Sequence, residues 1–267
     1  MSHLSDRELE KVAEAYEQLL GPALFEPWAD RLADAAEIQP GHRVLDVACG
    51  TGILTRAVAS RVADTGAVSG VDINPGMLAV ARRHSPGIEL HQGPAEALPF
   101  DNDQFDAVVS QFGLTFFSEP DTALREMKRV LKPGGHLALA VFDSLDKLPA
   151  YATLASIYER LIDPGVGKAL QRPFSMGDTD RLALLLHEAD IPAPVILTHE
   201  GTAHFDSIRN MVLADVRGWF PFAGIELGES AIEAVVHEAS KELAAFQTSH
   251  GGVEFKVPVH FITATKA

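Results

Sequence analysis

Apolar positions along the chain change period several times, and those changes mark out elements before any residue is given a chemical role. Ser5 and Glu8 have capping-box spacing, and Leu9, Val12, Ala13, Tyr16, Leu19 and Leu20 follow at helical intervals. Gly21-Pro22 is expected to stop that helix. A second helix is expected after Pro27, with Trp28, Leu32, Ala35 and Ala36 on one side and Pro40-Gly41 at its end. Short apolar runs at 43–48, 67–72, 88–91, 105–110 and 136–142 read as buried strands. Helical periodicity returns between them at 53–62, 77–84 and 121–131, the last closed by Pro133-Gly134-Gly135. This alternation predicts a parallel sheet with right-handed crossovers over roughly 38–143. The remainder is less regular, with helices expected at 151–161, 179–189, 208–216 and 230–246 and strands at 194–198 and 255–263.

Composition narrows the class. The 267 residues are 46% hydrophobic and 22% charged, enough apolar surface for a sizeable core and too much for a disordered chain. The formal net charge of −15 repels a phosphate-coated partner, so nucleic acid is not expected as the main ligand. Arg125, Lys128, Arg129 and Lys132 are the strongest basic cluster and read as a solvated helix face. Cys49 is the single cysteine, which excludes an intrachain disulfide and a cysteine-cluster zinc site. The eleven histidines show no His-Glu-x-x-His spacing, so no metal is expected. No 18-residue apolar run predicts a membrane span, and the first residues are acidic where a signal peptide is basic then apolar. A cytoplasmic enzyme, monomer or homodimer, is the expectation.

The informative segment is Val44-Leu45-Asp46-Val47-Ala48-Cys49-Gly50-Thr51-Gly52. Glycines after a buried strand let a ligand approach the backbone, and a helix N-terminus starting there offers free N–H groups. The dinucleotide fingerprint fits poorly, because position 55 is Thr where Gly or Ala is needed. Asp46, just before the glycines, suits an ammonium or sulfonium far better than a diphosphate. Asp72 ends the second strand, 20 residues beyond Gly52, where an acid can accept both ribose hydroxyls of a nucleoside.

These residues resemble motif I of the class I S-adenosylmethionine-dependent methyltransferases. The resemblance continues through 71–78, through the loop Gly93-Pro94-Ala95-Glu96-Ala97-Leu98-Pro99-Phe100, and through 105–110 and 123–135. The nearest group is the ubiquinone/menaquinone-biosynthesis-like small-molecule methyltransferases. It implies an α/β, Rossmann-like, mostly parallel seven-stranded sheet with helices on both faces. It further implies an N-terminal helical lid (1–37), a cofactor domain (38–205 plus 250–267) and a helical cap insertion (206–249).

The resemblance also implies roles. Asp46 and the backbone of Ala48, Gly50, Thr51 and Gly52 would face the methionine part of S-adenosylmethionine. Asp72 would hold the ribose, Ile73 and Met77 would pack on the adenine, and the Ala95 N–H would meet its ring. Many members carry Asp where this chain has Pro94, so either Glu96 or a backbone carbonyl replaces it or cofactor binding is weaker. Gln111 and Phe112 would line the space near the sulfonium, with Tyr16 and Phe25 closing over the cofactor. Phe116, Phe142, Trp219 and Phe220 are expected to wall the pocket of a small apolar or aromatic acceptor. No catalytic base is assigned; His204, His250 and His260 are candidates only. The expected reaction is in-line methyl transfer to O, N or C, with S-adenosylhomocysteine as product. The alternatives are a non-catalytic cofactor-binding module, for which Pro94 speaks, and a nicotinamide-dependent oxidoreductase, against which Thr55 and Asp46 speak.

Overall fold

A computed structural model describes residues 4–267. Helix α1 (Asp6–Ala15) opens at the capping box: the Glu8 carboxylate accepts the Ser5 backbone N–H at 2.8 Å and its hydroxyl at 2.6 Å. Contrary to expectation, Gly21-Pro22 does not end the spiral. The chain widens into a ten-residue π-helical stretch, Tyr16–Phe25, and passes straight into α2 (Glu26–Ala35). The Glu26 N–H bonds to the Gly21 carbonyl five residues back. In an α-helix the Pro22 ring would strike the carbonyl four residues earlier; the wider turn relieves that clash.

The alternating region follows as β1 (Arg43–Val47), α3 (Ile53–Val62), β2 (Ala67–Asp72), α4 (Pro75–His84), β3 (Glu89–Gln92), β4 (Phe105–Gln111), α5 (Pro120–Val130) and β5 (Leu131–Phe142). Strands β1 to β5 are mutually parallel. The Pro133-Gly134-Gly135 segment lies inside β5 as an irregularity, not ahead of it: Phe105 pairs with Leu131, but Ala107 already pairs with His136. Next come α6 (Pro149–Leu161), α7 (Pro164–Gln171), α8 (Thr179–Glu188) and β6 (Val195–Phe205). Helices α9 (Ile208–Gly218) and α10 (Glu229–Glu242) separate β6 from β7 (Val253–Thr265). The seven-stranded sheet has the order β3-β2-β1-β4-β5-β7-β6, with β7 antiparallel to both its neighbours.

Alternation along the strands divides the core. Val44, Ala107, Val109, Ala138 and Ala140 face one cluster with α2, α3 and the helices between β6 and β7. Leu45, Val47, Val108, Leu137 and Leu139 face another with α5 and α8. A period of two places successive side chains on opposite faces, and continuous apolar runs follow because both faces are covered. The basic residues of α5 and its C-terminal flank are all engaged: Arg125 with Asp121, Arg129 with Glu126, Lys132 with Asp106, and Lys128 with the Asp190 carbonyl. Among the described residues no helix is long and apolar enough to cross a membrane.

The N-terminal helices are seated on the sheet domain. Helix α1 lies across α4 so closely that a Cβ at Gly76 would stand 2.4 Å from the Leu9 carbonyl carbon. Gly76→Ala is therefore expected to destabilise by about 1–3 kcal/mol, a drop of roughly 3–10 °C in thermal midpoint. An unchanged midpoint would show that α1 does not rest there.

Candidate active site

In the strand order, β1 has β2 on one side and β4 on the other, so crossovers leave it in opposite directions. A crevice opens at the carboxyl ends of the strands at such a switch point. The turn after β1 fills its floor. Ala48 (φ 57°), Gly50 (φ 54°) and Gly52 (φ 88°) all adopt left-handed backbone, and Gly52 is the N-cap of α3. Asp72 holds this turn from the end of β2. Its Oδ2 accepts the Gly50 N–H at 2.8 Å, and its Oδ1 accepts the Asn74 N–H at 2.8 Å. Burial raises the Asp72 carboxyl, and the N–H groups of Asn74, Gly50 and Ile73 oppose that shift.

Asp46 ends β1 fully buried. Its Oδ2 accepts the Thr55 hydroxyl at 2.6 Å, while Oδ1 has no partner in the protein. Burial pushes the pKa up to about 7; the Thr55 hydrogen bond opposes this and the nearby Asp72 charge adds to it. Thr55, legible in sequence only as a misfit to the dinucleotide fingerprint, is thus the residue that orients Asp46. Cys49 packs beneath, buried, with its thiol pushed well up by desolvation and then by Asp46 and Asp72, so it stays protonated.

Two cavities adjoin. The crevice, about 320 Å³, is lined by Tyr16, Phe25, Asp46, Gly50, Thr51 and Gln111 among others. Gln111 donates through Nε2 to the Phe25 carbonyl at 3.0 Å, tying β4 to the π-helical stretch. The second is an aromatic chamber of about 500 Å³, whose walls include Phe112, Phe116, Phe142, Tyr151, Phe174 and Trp219. Tyr16 and Phe25, stacked with centroids 4.9 Å apart, line both. Phe112 has a left-handed backbone (φ 60°) and lies flat on Phe142, centroids 3.9 Å apart, so its ring belongs to the chamber and not to the crevice.

The remaining expected residues divide. Ile73 is 68% exposed, Met77 and Glu96 are half-buried, Ala95 is buried and Pro94 exposed, and none lines either cavity. Glu96 Oε1 accepts the backbone N–H groups of Ser118 and Glu119, so that oxygen is already engaged in anchoring the start of α5. Phe220 is a correction: it is fully buried, edge-on to Tyr158, and does not line the chamber as its neighbour Trp219 does. His260 is also locked, with Nδ1 2.9 Å from Thr198 Oγ1 and Nε2 3.0 Å from the Gly177 carbonyl; His204 and His250 are exposed. The chamber also holds groups that sequence reasoning missed: Leu170, Phe174, Tyr151 and the buried carboxylate Asp215.

Comparison with known proteins decides between the readings. A methyltransferase-domain family model matches residues 45–139. A demethylmenaquinone methyltransferase of Staphylococcus aureus is 31% identical over 201 residues, spanning 69% of this chain and 83% of that protein. The chain is a class I S-adenosylmethionine-dependent methyltransferase. This methyltransferase is also similar to a ubiquinone/menaquinone biosynthesis C-methyltransferase of Ectopseudomonas mendocina, 38% identical over 56% of the chain and 63% of that protein. Among solved structures, the YcgJ protein of Bacillus subtilis superposes with a TM-score of 0.59 at 21% identity, covering 89% of this chain and 97% of that one. At that identity the likeness concerns the fold.

The crevice of the methyltransferase suits the cofactor. Asp46 Oδ1, Thr51 Oγ1 and Gln111 Oε1 are buried polar atoms on its walls without a protein partner. Buried polar groups normally have partners, and a ligand carrying an ammonium, a sulfonium and hydroxyls offers them.

Proposed function

We propose that this methyltransferase transfers the methyl group to a small apolar or aromatic acceptor held in the chamber, of the reduced-quinone type that its relatives' names suggest. The observation that carries the reading is the shared wall: Tyr16 and Phe25 separate a polar crevice from an aromatic chamber and belong to both. The cofactor, when bound, supplies an electrophilic methyl group, so the protein has to position and desolvate more than it has to activate. Asp46 would hold the methionine end in the crevice, with Gly50, Thr51 and Gln111 beside it, and Asp72, behind the Gly50 turn at the end of β2, the ribose. The N-terminal helices act as a lid and the helices between β6 and β7 as a cap, which together exclude water from the chamber. Trp219, its indole N–H donated to the Ala169 carbonyl at 3.0 Å, is a fixed aromatic panel against the acceptor.

The test is transfer from methyl-labelled S-adenosylmethionine to a panel of reduced quinones, phenols and polar acceptors. Label is expected in the apolar aromatic members. Trp219→Ala is expected to raise the acceptor KM roughly tenfold, the loss of about 1–2 kcal/mol of ring contact, and to leave S-adenosylhomocysteine affinity within about twofold. Transfer confined to polar acceptors, or an equal loss of affinity for both ligands in Trp219→Ala, would sink the reading.

A further inference from the structure

The aromatic chamber has one polar end. Asp215, on α9, lines it and is 2% exposed, yet its Oδ2 has no hydrogen-bond partner. Tyr151, on α6, lines the same cavity at 1% exposure with its hydroxyl equally unpartnered. Behind them Tyr158, also on α6, has its hydroxyl against the Asp215 carboxyl. Unpartnered polar atoms in an apolar core are costly, and nothing among the described residues satisfies the Tyr151 hydroxyl or Asp215 Oδ2 at hydrogen-bond distance. A group entering the chamber would.

We infer that Asp215 and Tyr151 form an oxygen-reading subsite of the acceptor chamber, which selects aromatic acceptors bearing a ring hydroxyl. The inference rests on the acceptor reading of the chamber, whose reduced-quinone acceptors carry ring hydroxyls, and adds which residues of this chain read that oxygen. The chemistry of the pair sets the choice. Burial raises the Asp215 carboxyl well above its ordinary range, with the nearby Tyr158 hydroxyl opposing, and it raises both tyrosines. The end wall is therefore a buried acid beside a buried phenol. It offers O–H donors and oxygen acceptors together, and a ring hydroxyl donates and accepts at once. Among the described residues no cation lines the chamber, so a carboxylate would have to be desolvated without one. A hydrocarbon ring would leave Asp215 Oδ2 and the Tyr151 hydroxyl unpaired. A site built around a hydroxyl discriminates strongly against analogues that lack it, because its own polar groups are then left unpaired.

The experiment compares 1-naphthol with 1-methylnaphthalene, matched in ring and size, by calorimetry on the protein saturated with S-adenosylhomocysteine. Wild type is expected to bind 1-naphthol at least ~10-fold more tightly. Tyr151→Phe, which removes only an unpartnered hydroxyl, is expected to narrow that ratio severalfold, and Asp215→Leu to abolish it. Tyr151→Phe should lower neither the thermal midpoint nor S-adenosylhomocysteine affinity, since it deletes a buried orphan; a merely structural role for that hydroxyl would lower the midpoint. An undiminished preference in Tyr151→Phe and Asp215→Leu overturns the inference, and Tyr151→Phe alone decides it should the leucine variant not fold. Equal binding of both probes by wild type overturns the subsite and leaves the acceptor chamber standing. Binding of neither overturns the chamber reading and the subsite with it.

Discussion

Asp72→Ala is expected to weaken S-adenosylhomocysteine binding by roughly 10²–10³-fold, equivalent to about 3–4 kcal/mol. Two losses combine. On the proposed placement the carboxylate meets the ligand's ribose hydroxyls, and each charge-assisted hydrogen bond lost there is worth about 1.5–3 kcal/mol. The substitution also releases the Gly50 and Asn74 N–H groups, so the left-handed turn over the crevice floor loses its anchor. Asp72→Asn keeps one acceptor oxygen and should fall between. Calorimetry reads the affinity, and far-ultraviolet circular dichroism confirms that the sheet persists. Wild-type affinity in the alanine variant would remove Asp72 from the cofactor site.

The second large effect is a pH dependence that originates at Asp46. Its carboxyl titrates near 7 in the folded chain, against an ordinary value of 3.8, chiefly because of burial. Between those two values the folded state binds more protons than the unfolded state, so stability falls as pH rises through the window. Over the full interval this amounts to on the order of 4 kcal/mol. Asp72 and Asp215 are also raised and contribute slopes of the same sign, so the useful quantity is the difference between wild type and Asp46→Asn. In urea unfolding at pH 5 and pH 8, the asparagine variant is expected to lose less stability across the interval. Bound S-adenosylmethionine reverses the balance, because its positive charge favours ionised Asp46. Wild-type affinity should therefore climb towards pH 8, and the variant's should stay flatter. Parallel pH profiles for the two proteins would refute the assignment.

The sheet domain was the legible part of the sequence. Strands buried on both faces give continuous apolar runs, and the turn chemistry of Gly50, Gly52 and Pro75 punctuates them, so local spacing was enough. Beyond Phe142 the signal fades for reasons visible in particular elements. Strand β6 runs to Phe205, well past the expected 194–198, but most of its residues are exposed along the sheet edge and it carries little apolar pattern. Helix α7, with only eight residues and two glycines, went unnoticed. Gly21-Pro22 signals a stop under α-helical rules and says nothing of a wider spiral. The floor of the crevice could be read from one contiguous motif, whereas the chamber is assembled from segments scattered between Tyr16 and Trp219. Asp215 on α9 reads as one more polar residue between apolar ones. Trp219 and Phe220 are neighbours in sequence but diverge in space, and no periodicity shows which of two adjacent aromatics turns inward.

The ten-residue spiral from Tyr16 to Phe25 is a party wall, and that limits how this methyltransferase can diversify. If the two cavities hold cofactor and acceptor as proposed, a change at Tyr16 or Phe25 that suits a new acceptor also alters the grip on the cofactor, which every turnover requires. Variation in acceptor preference is then steered to the opposite side of the chamber, where Leu170, Phe174 and Trp219 line that cavity and not the crevice. Directed evolution of this scaffold has its freedom there.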